Sequence, residues 1–284
     1  MRILICLLLC TISVQAKHRL LVSGCNYGEV SIYAADGTKE WSYPEKQEVS
    51  DAWLLPNGDI AMSYKSGSRI IRPDWKEGVG FKVVKDRPTR EGGETHTCMP
   101  LPGGGFLIGE SFAGVSYIVE LDSAFKETKR IELKGFGGKH SSFRQIRKTP
   151  QGTYLVTQQK KGGFAMEIDA EGKTLRSFPD GRFVAERLEN GNTLLACGDN
   201  HCIIEIDPEG KEIWKLEQND LPGIAIGFVA GLQRLPNGNT LFSNWGGHGG
   251  TTGASLIEVT PNKQVVWSAS PGTPNRISNV KILE

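Results

Sequence analysis

Leu235-Pro236-Asn237-Gly238-Asn239-Thr240-Leu241-Phe242-Ser243 reads as the end of one strand, a tight turn and the start of the next strand. Proline presets a backbone angle that suits a turn, asparagine bonds to nearby backbone and glycine supplies the positive φ that closes the turn. The phrase recurs as Leu55-Pro56-Asn57-Gly58, Leu101-Pro102-Gly103-Gly104, Thr149-Pro150-Gln151-Gly152 and Leu188-Glu189-Asn190-Gly191. One strand pair further on, each copy is followed by a second hairpin phrase, strongest in Glu205-Ile206-Asp207-Pro208-Glu209-Gly210-Lys211-Glu212-Ile213-Trp214. Weaker versions span 32–41, 120–129, 167–175 and 258–267. Each repeat therefore holds four short strands, here a to d, and the apolar runs between turns are too short for helices. Four strands in a unit of about 45 residues is the signature of a propeller blade, a sheet that must stack on its neighbours to cover its faces.

The two ends of the chain set the blade count. Residues 19–43 supply strands b, c and d without an opening strand, and Ile277-Ser278-Asn279-Val280-Lys281-Ile282-Leu283 supplies a lone strand a. Joined, they complete a sixth blade beside the five internal ones. The fold expected is an all-β, six-bladed β-propeller of four-stranded blades, closed by a composite N- and C-terminal blade that leaves no open sheet edge.

Arg2, the apolar run from Ile3 to Leu9 and the small-residue ending Val14-Gln15-Ala16 read as a secretory signal peptide over 1–16, with 17–284 as one domain in the periplasm or outside the cell. Acylation at Cys10 is disfavoured by the bulky Leu8-Leu9 before it. Cleavage after Ala16 removes Arg2 alone among the charged residues, so the remaining chain has a formal net charge of zero. That balance gives no basic field for nucleic acid or an anionic membrane, and no later stretch has the length of a membrane span.

Leu235-Pro236-Asn237-Gly238-Asn239-Thr240-Leu241 and Asp36-Gly37-Thr38-Lys39-Glu40-Trp41 resemble exported bacterial propellers of the NHL, PQQ-like and arylsulfotransferase-like type. The resemblance covers almost the whole chain after residue 16. It implies the propeller, whereas such turns say little of activity, because one superfold hosts many functions. Quinone-dependent dehydrogenases of this type have eight blades and adjacent paired cysteines; neither is present, so no quinone or other cofactor is inferred. The resemblance to arylsulfotransferases would make a central histidine the sulfate acceptor, a placement that only His96 in Thr95-His96-Thr97 matches, without the flanking motif.

Strand order puts the b-to-c and d-to-a connections on one face, which also carries the long loops 84–94, 134–142, 217–227 and 244–253. Recognition concentrates on such rims. His96, His140, His201 and His248, four of the five histidines, map to this top face. Strand a borders the central channel, so His96 and Arg144 are expected at its mouth with Asp51 at a similar height. Candidate catalytic residues are His96, His140, Arg144 and Glu94, with Glu110 as a further general base. Candidate ligand-binding residues are Asp51, Trp245, His248, His201, Tyr27 and Phe112. No close pair such as His-x-His anchors a metal, and Trp41, Trp214 and Trp267 recur at one point of strand d as packing residues.

Cys197 and Cys202 flank Gly198-Asp199-Asn200-His201 at a spacing compatible with a cross-hairpin disulfide or with two buried thiols. Neither they nor Cys25 and Cys98 form a Cys-x-x-Cys motif. Two functions stay open. One is a propeller that binds a carbohydrate or another small polar or anionic ligand over the channel, on a face also open to a protein partner. The other is a lyase-like or sulfotransferase-like enzyme of the same face, with His96 or His140 as acid, base or nucleophile and Arg144 stabilising an anion.

Overall fold

The computed structural model describes residues 18–138, 140, 142–160, 162–248, 253–273 and 275–283; the signal peptide read over 1–16 lies outside them. Blade one combines β1 (Arg19–Ser23), β2 (Glu29–Tyr33) and β3 (Lys39–Pro44) with β24 (Asn279–Leu283). Blade two holds β4 (Asp51–Leu54), β5 (Ile60–Tyr64), β6 (Gly67–Asp74) and β7 (Gly80–Pro88). Blade three holds β8 (Glu94–Pro100), β9 (Phe106–Phe112), β10 (Val115–Leu121) and β11 (Glu127–Glu132). Blade four holds β12 (Ile146–Lys148), β13 (Tyr154–Thr157), β14 (Ala165–Ile168) and β15 (Thr174–Ser177). Blade five holds β16 (Ala185–Arg187), β17 (Thr193–Ala196), β18 (Ile203–Ile206) and β19 (Glu212–Leu216). Blade six holds β20 (Val229–Arg234), β21 (Thr240–Asn244), β22 (Leu256–Val259) and β23 (Val265–Ala269). The chain is a six-bladed β-propeller.

The repeated turn is one structure five times over. Leu55, Leu101, Thr149, Leu188 and Leu235 each donate a backbone N–H, at 2.8 Å, to the carbonyl four residues on. Gly58, Gly104, Gly152, Gly191 and Gly238 close these turns with φ between 82° and 89°, a region closed to most side chains. The second phrase is equally regular, because all six pairings of strands c and d shift register at the same relative position, as between Ile32 and Tyr33 or Glu205 and Ile206. That bulge bends each outer strand and increases its twist.

Buried aliphatic and aromatic side chains fill the gaps between blades, and Trp41 is wholly enclosed. Its indole N–H donates to the Gly80 carbonyl of the next blade at 3.0 Å, and that of Trp214 does the same to Pro261 at 2.8 Å.

The channel is filled by charge. Arg147 of β12 forms a two-pronged pair with Asp51 of β4, at 2.9 and 3.0 Å, and the Cys98 N–H donates to the same carboxylate at 3.1 Å. Gln145 donates to the Ser50 carbonyl and to Asn279. Lys281 pairs with Glu186 at 3.3 Å, and Trp53 lies under both Lys281 and Arg147. Asp51 is therefore corrected from a ligand-binding residue to a strut of the axis: its side chain has no exposed surface.

β24 closes the ring by pairing antiparallel with β1 in five register pairs, from Arg19 with Leu283 to Ser23 with Asn279. Deleting residues 277–284 removes this ladder together with the buried Ile277 and Val280. The expected outcome is loss of cooperative folding; a truncated protein with the parent's melting temperature in calorimetry would contradict ring closure.

Candidate functional site

The connections entering the inner strands and the b-to-c loops meet over the filled channel. They enclose a cavity of about 380 Å³ whose walls come from five blades. Glu48 enters from the connection into blade two, His140 and Arg144 from that into blade four, and Phe183 from that into blade five. Cys25 and Ser278 of blade one, Gln159 and Lys160 of blade four and Trp245 and His248 of blade six complete it.

Behind His140, the Glu94 carboxylate accepts hydrogen bonds from His140 Nδ1 at 2.6 Å and His96 Nε2 at 3.2 Å, and lies 3.3 Å from Lys65 Nζ. His140 Nε2 lies 3.0 Å from an Arg144 guanidinium nitrogen and 3.5 Å from Glu48 Oε2. A guanidinium only donates, so the nearer contact fixes Nε2 as the acceptor and Nδ1 as the proton carrier. Arg144 also donates to the carbonyls of His140 and Phe143, and its Nε lies 3.6 Å from Glu48 Oε1, which accepts from Ser50 Oγ at 2.8 Å. The His140 side chain is 48% exposed while that of Arg144 is 4% exposed, so the imidazole is the group a ligand can touch freely.

Burial alone would raise the Glu94 carboxyl, but hydrogen bonds from His140 and His96 overcome this and hold it well below the usual carboxylate range. Glu48 is lowered in the same way: burial opposes ionisation, and the Arg144 charge, with the neighbouring imidazoles and the Ser50 hydroxyl, outweighs it. Burial drives His96 down to about 4, with the Arg144 charge adding to the effect. The Cys25 thiol at the cavity wall is pushed up to about 11 by burial and then by Glu48. Arg144 is lowered by desolvation but remains a cation at any relevant pH.

His96 lies beside these groups, but its side chain is buried and does not line the cavity. β8 bulges between Thr95 and Thr97, so His96 has no partner on β9 and its ring turns into the packing against Phe143 and His140. With 1% of its side chain exposed, it is corrected from acid, base or nucleophile to the residue that positions Glu94. Glu110 is held by Arg87 at 2.7 Å and Arg130 at 2.9 Å, away from any histidine. Tyr27 is buried with its hydroxyl 3.1 Å from that of Tyr33, and Phe112 stacks on Tyr117 beneath Arg90; neither lines the cavity. His201 lines an adjoining cavity of about 370 Å³ that shares the Trp245 and His248 wall. There Asp199 pairs with His248 at 3.1 Å.

Glu94, His96 and His140 have the donor types and spacing of a metal site. Arg144 argues for the hydrogen-bonded arrangement instead, since its charge lies against the ring a cation would use. Glu48, Cys25, Gln159, Lys160 and Phe183 were not singled out from sequence. The signal for Glu48 and Phe183 is their place just ahead of strand a, the same place that drew attention to His140.

No protein-family model matches the chain, and no curated protein matches it. Among solved structures it is similar to a protein of unknown function from Bacteroides caccae, at 29% identity over 94% of this chain and 100% of that one, with a TM-score of 0.82. A streptogramin B lyase is similar at 12% identity over 96% of both chains, TM-score 0.60. So is a catalytically inactive virginiamycin B lyase from Staphylococcus aureus with quinupristin, at 13% identity over 89% of this chain and 85% of that one, TM-score 0.58. The likeness to the two lyases is one of fold.

Because His96 stays neutral in the folded protein down to about pH 4 and ionises at about 6.5 when unfolded, the unfolded chain binds the extra proton between these values. Stability is thus lost as pH falls from 6.5 towards 4, by up to about 3 kcal/mol at about 1.4 kcal/mol per unit. Chemical denaturation of His96→Gln across this range should show a shallower loss than the parent; parallel curves would refute the buried neutral imidazole.

Proposed function

We propose that the cavity binds a small polar organic anion and that His140 moves a proton on it. The observation that carries this reading is the convergence, in one concave site, of a carboxylate-oriented imidazole and a buried guanidinium that faces its unprotonated nitrogen. Glu94 fixes the ring and its tautomer, and once the Arg144 N–H turns from Nε2 to the bound anion, Nε2 is left to take a proton from a carbon beside a carboxylate or carbonyl. Arg144 and Lys160 face the negative charge that develops there, and no carboxylate among the described residues pairs with Lys160. Trp245 and Phe183 offer the apolar surface that suits a sugar ring, so uronic-acid saccharides are the substrate class we favour. The reaction class is elimination: the proton passes to His140 Nε2, the C–H electron pair becomes a C=C bond, and the neighbouring C–O bond breaks with its electron pair leaving on oxygen, which takes a proton from solvent.

The lyases of similar fold agree with this class without carrying it, and a sulfotransferase reading loses the exposed His96 it required. If residues 1–16 direct export, the substrate is met outside the cytoplasm.

The test is a panel of uronic-acid oligosaccharides, with binding followed by calorimetry and turnover by ultraviolet absorbance of the unsaturated product. His140→Ala should lower turnover about 10²–10⁴-fold, the usual contribution of a positioned acid or base, while affinity changes little. Arg144→Ala should weaken binding as well. Binding without product in the parent protein, weakened by His140→Ala, would replace the enzyme with a binding module.

A further inference from the structure

Away from the cavity, the connection from β15 to β16 runs beside the hairpin that joins β17 to β18. It brings a carboxylate oxygen of Asp180 and the sulfurs of Cys197 and Cys202 within 4.8 Å of one another, with all three residues buried. Cys197 donates its N–H to the Cys202 carbonyl at 3.1 Å, just beyond the last strand pair of Ala196 with Ile203, so the two side chains leave the hairpin next to each other. The sulfurs are free thiols.

Asp180 stands apart from the other buried carboxylates. Asp51 faces Arg147, Asp59 faces Arg72, Glu48 faces Arg144, Glu110 faces Arg87 and Arg130, Glu205 faces Arg234, and Glu258 faces His18. Among the described residues, Asp180 accepts from neutral donors alone, the Gly181 N–H at 2.8 Å and the Asn200 side-chain amide at 2.5 Å. No ion pair to a Lys, Arg or His nitrogen is made by it among the described residues. A carboxylate taken out of water needs a compensating charge, and what confronts this one is a pair of sulfurs.

Two soft sulfurs and one carboxylate oxygen within 4.8 Å of one another form the donor set of a thiophilic divalent cation. We propose that Asp180, Cys197 and Cys202 bind a zinc-class ion, with water at its fourth position. Binding releases two thiol protons to solvent, forms two metal–sulfur bonds and needs no electron transfer. The ion supplies the charge that Asp180 lacks and ties the entry to blade five to the 197–202 hairpin. The same hairpin carries Asp199, which holds His248 in the cavity wall, so the metal steadies the rim of the proposed active site without touching substrate.

A disulfide is the competing use of the two sulfurs; it would pass two electrons to an external oxidant and leave no thiolate for an ion. The experiment uses the full-length reduced protein, titrated with Co²⁺ and followed by thiolate-to-cobalt charge-transfer absorption, with Zn²⁺ as competitor. One equivalent per chain is expected, displaced by Zn²⁺ and abolished in Cys197→Ser and Cys202→Ser. Asp180→Asn should bind at least about tenfold more weakly, and His140→Ala should bind normally, which separates this site from the cavity. Should the serine variants fail to fold, protection of Cys197 and Cys202 from alkylation by Zn²⁺ in the parent protein gives the same answer. Absence of the charge-transfer band in reduced protein, its persistence in the folded serine variants, or thiols that alkylate equally with and without Zn²⁺ would overturn the proposal.

Discussion

The ion pair between Asp51 and Arg147 spans the channel from blade two to blade four, and the site above depends on it. Inner strands of a propeller splay around the axis and form no continuous ladder with one another, so side chains must hold the centre. Here a bidentate pair does so, with the Cys98 N–H donating to the carboxylate, and Gln145 and the Ile146 carbonyl accepting from the guanidinium. Desolvating two charges is costly, and the two-pronged geometry offsets much of the cost. With the axis filled, the space above it is a closed-bottomed cavity and not a passage.

Electrostatic balance then shapes the cavity. Two carboxylates, Glu48 and Glu94, lie on either side of His140, and Arg144 sits close enough to temper both. The carboxylates stay ionised despite burial because imidazoles and the guanidinium stabilise their charge. His140 alone of the group is well exposed, so an arrangement that is structural on its buried side is chemical on its open side.

The fold was legible in the sequence because its determinants are local. Each Leu-Pro-Asn-Gly turn needs only its own residues, and the unmatched strand at each end announces the ring closure. The choice of face followed from strand order, and it brought Arg144, His140, Trp245 and His248 to the cavity. What local reading misjudged was side-chain direction. The β8 bulge turns His96 inwards, Tyr27 and Phe112 find partners within their own blades, and Asp51 meets a residue 96 positions away. Glu48 was missed for a related reason: as a charged residue in a polar connection it resembles a solvated one until Arg144 arrives from another blade.

The proposed chemistry stands on the proton arrangement of His140, which long-range ¹⁵N–¹H spectra of the histidine rings report directly. It predicts His140 with its proton on Nδ1, bonded to Glu94, and an unprotonated Nε2 beside Arg144, with the Nδ1 proton resonance shifted in Glu94→Leu, which leaves no acceptor. A His140 ring carrying its proton on Nε2, or one indifferent to Glu94→Leu, would contradict it.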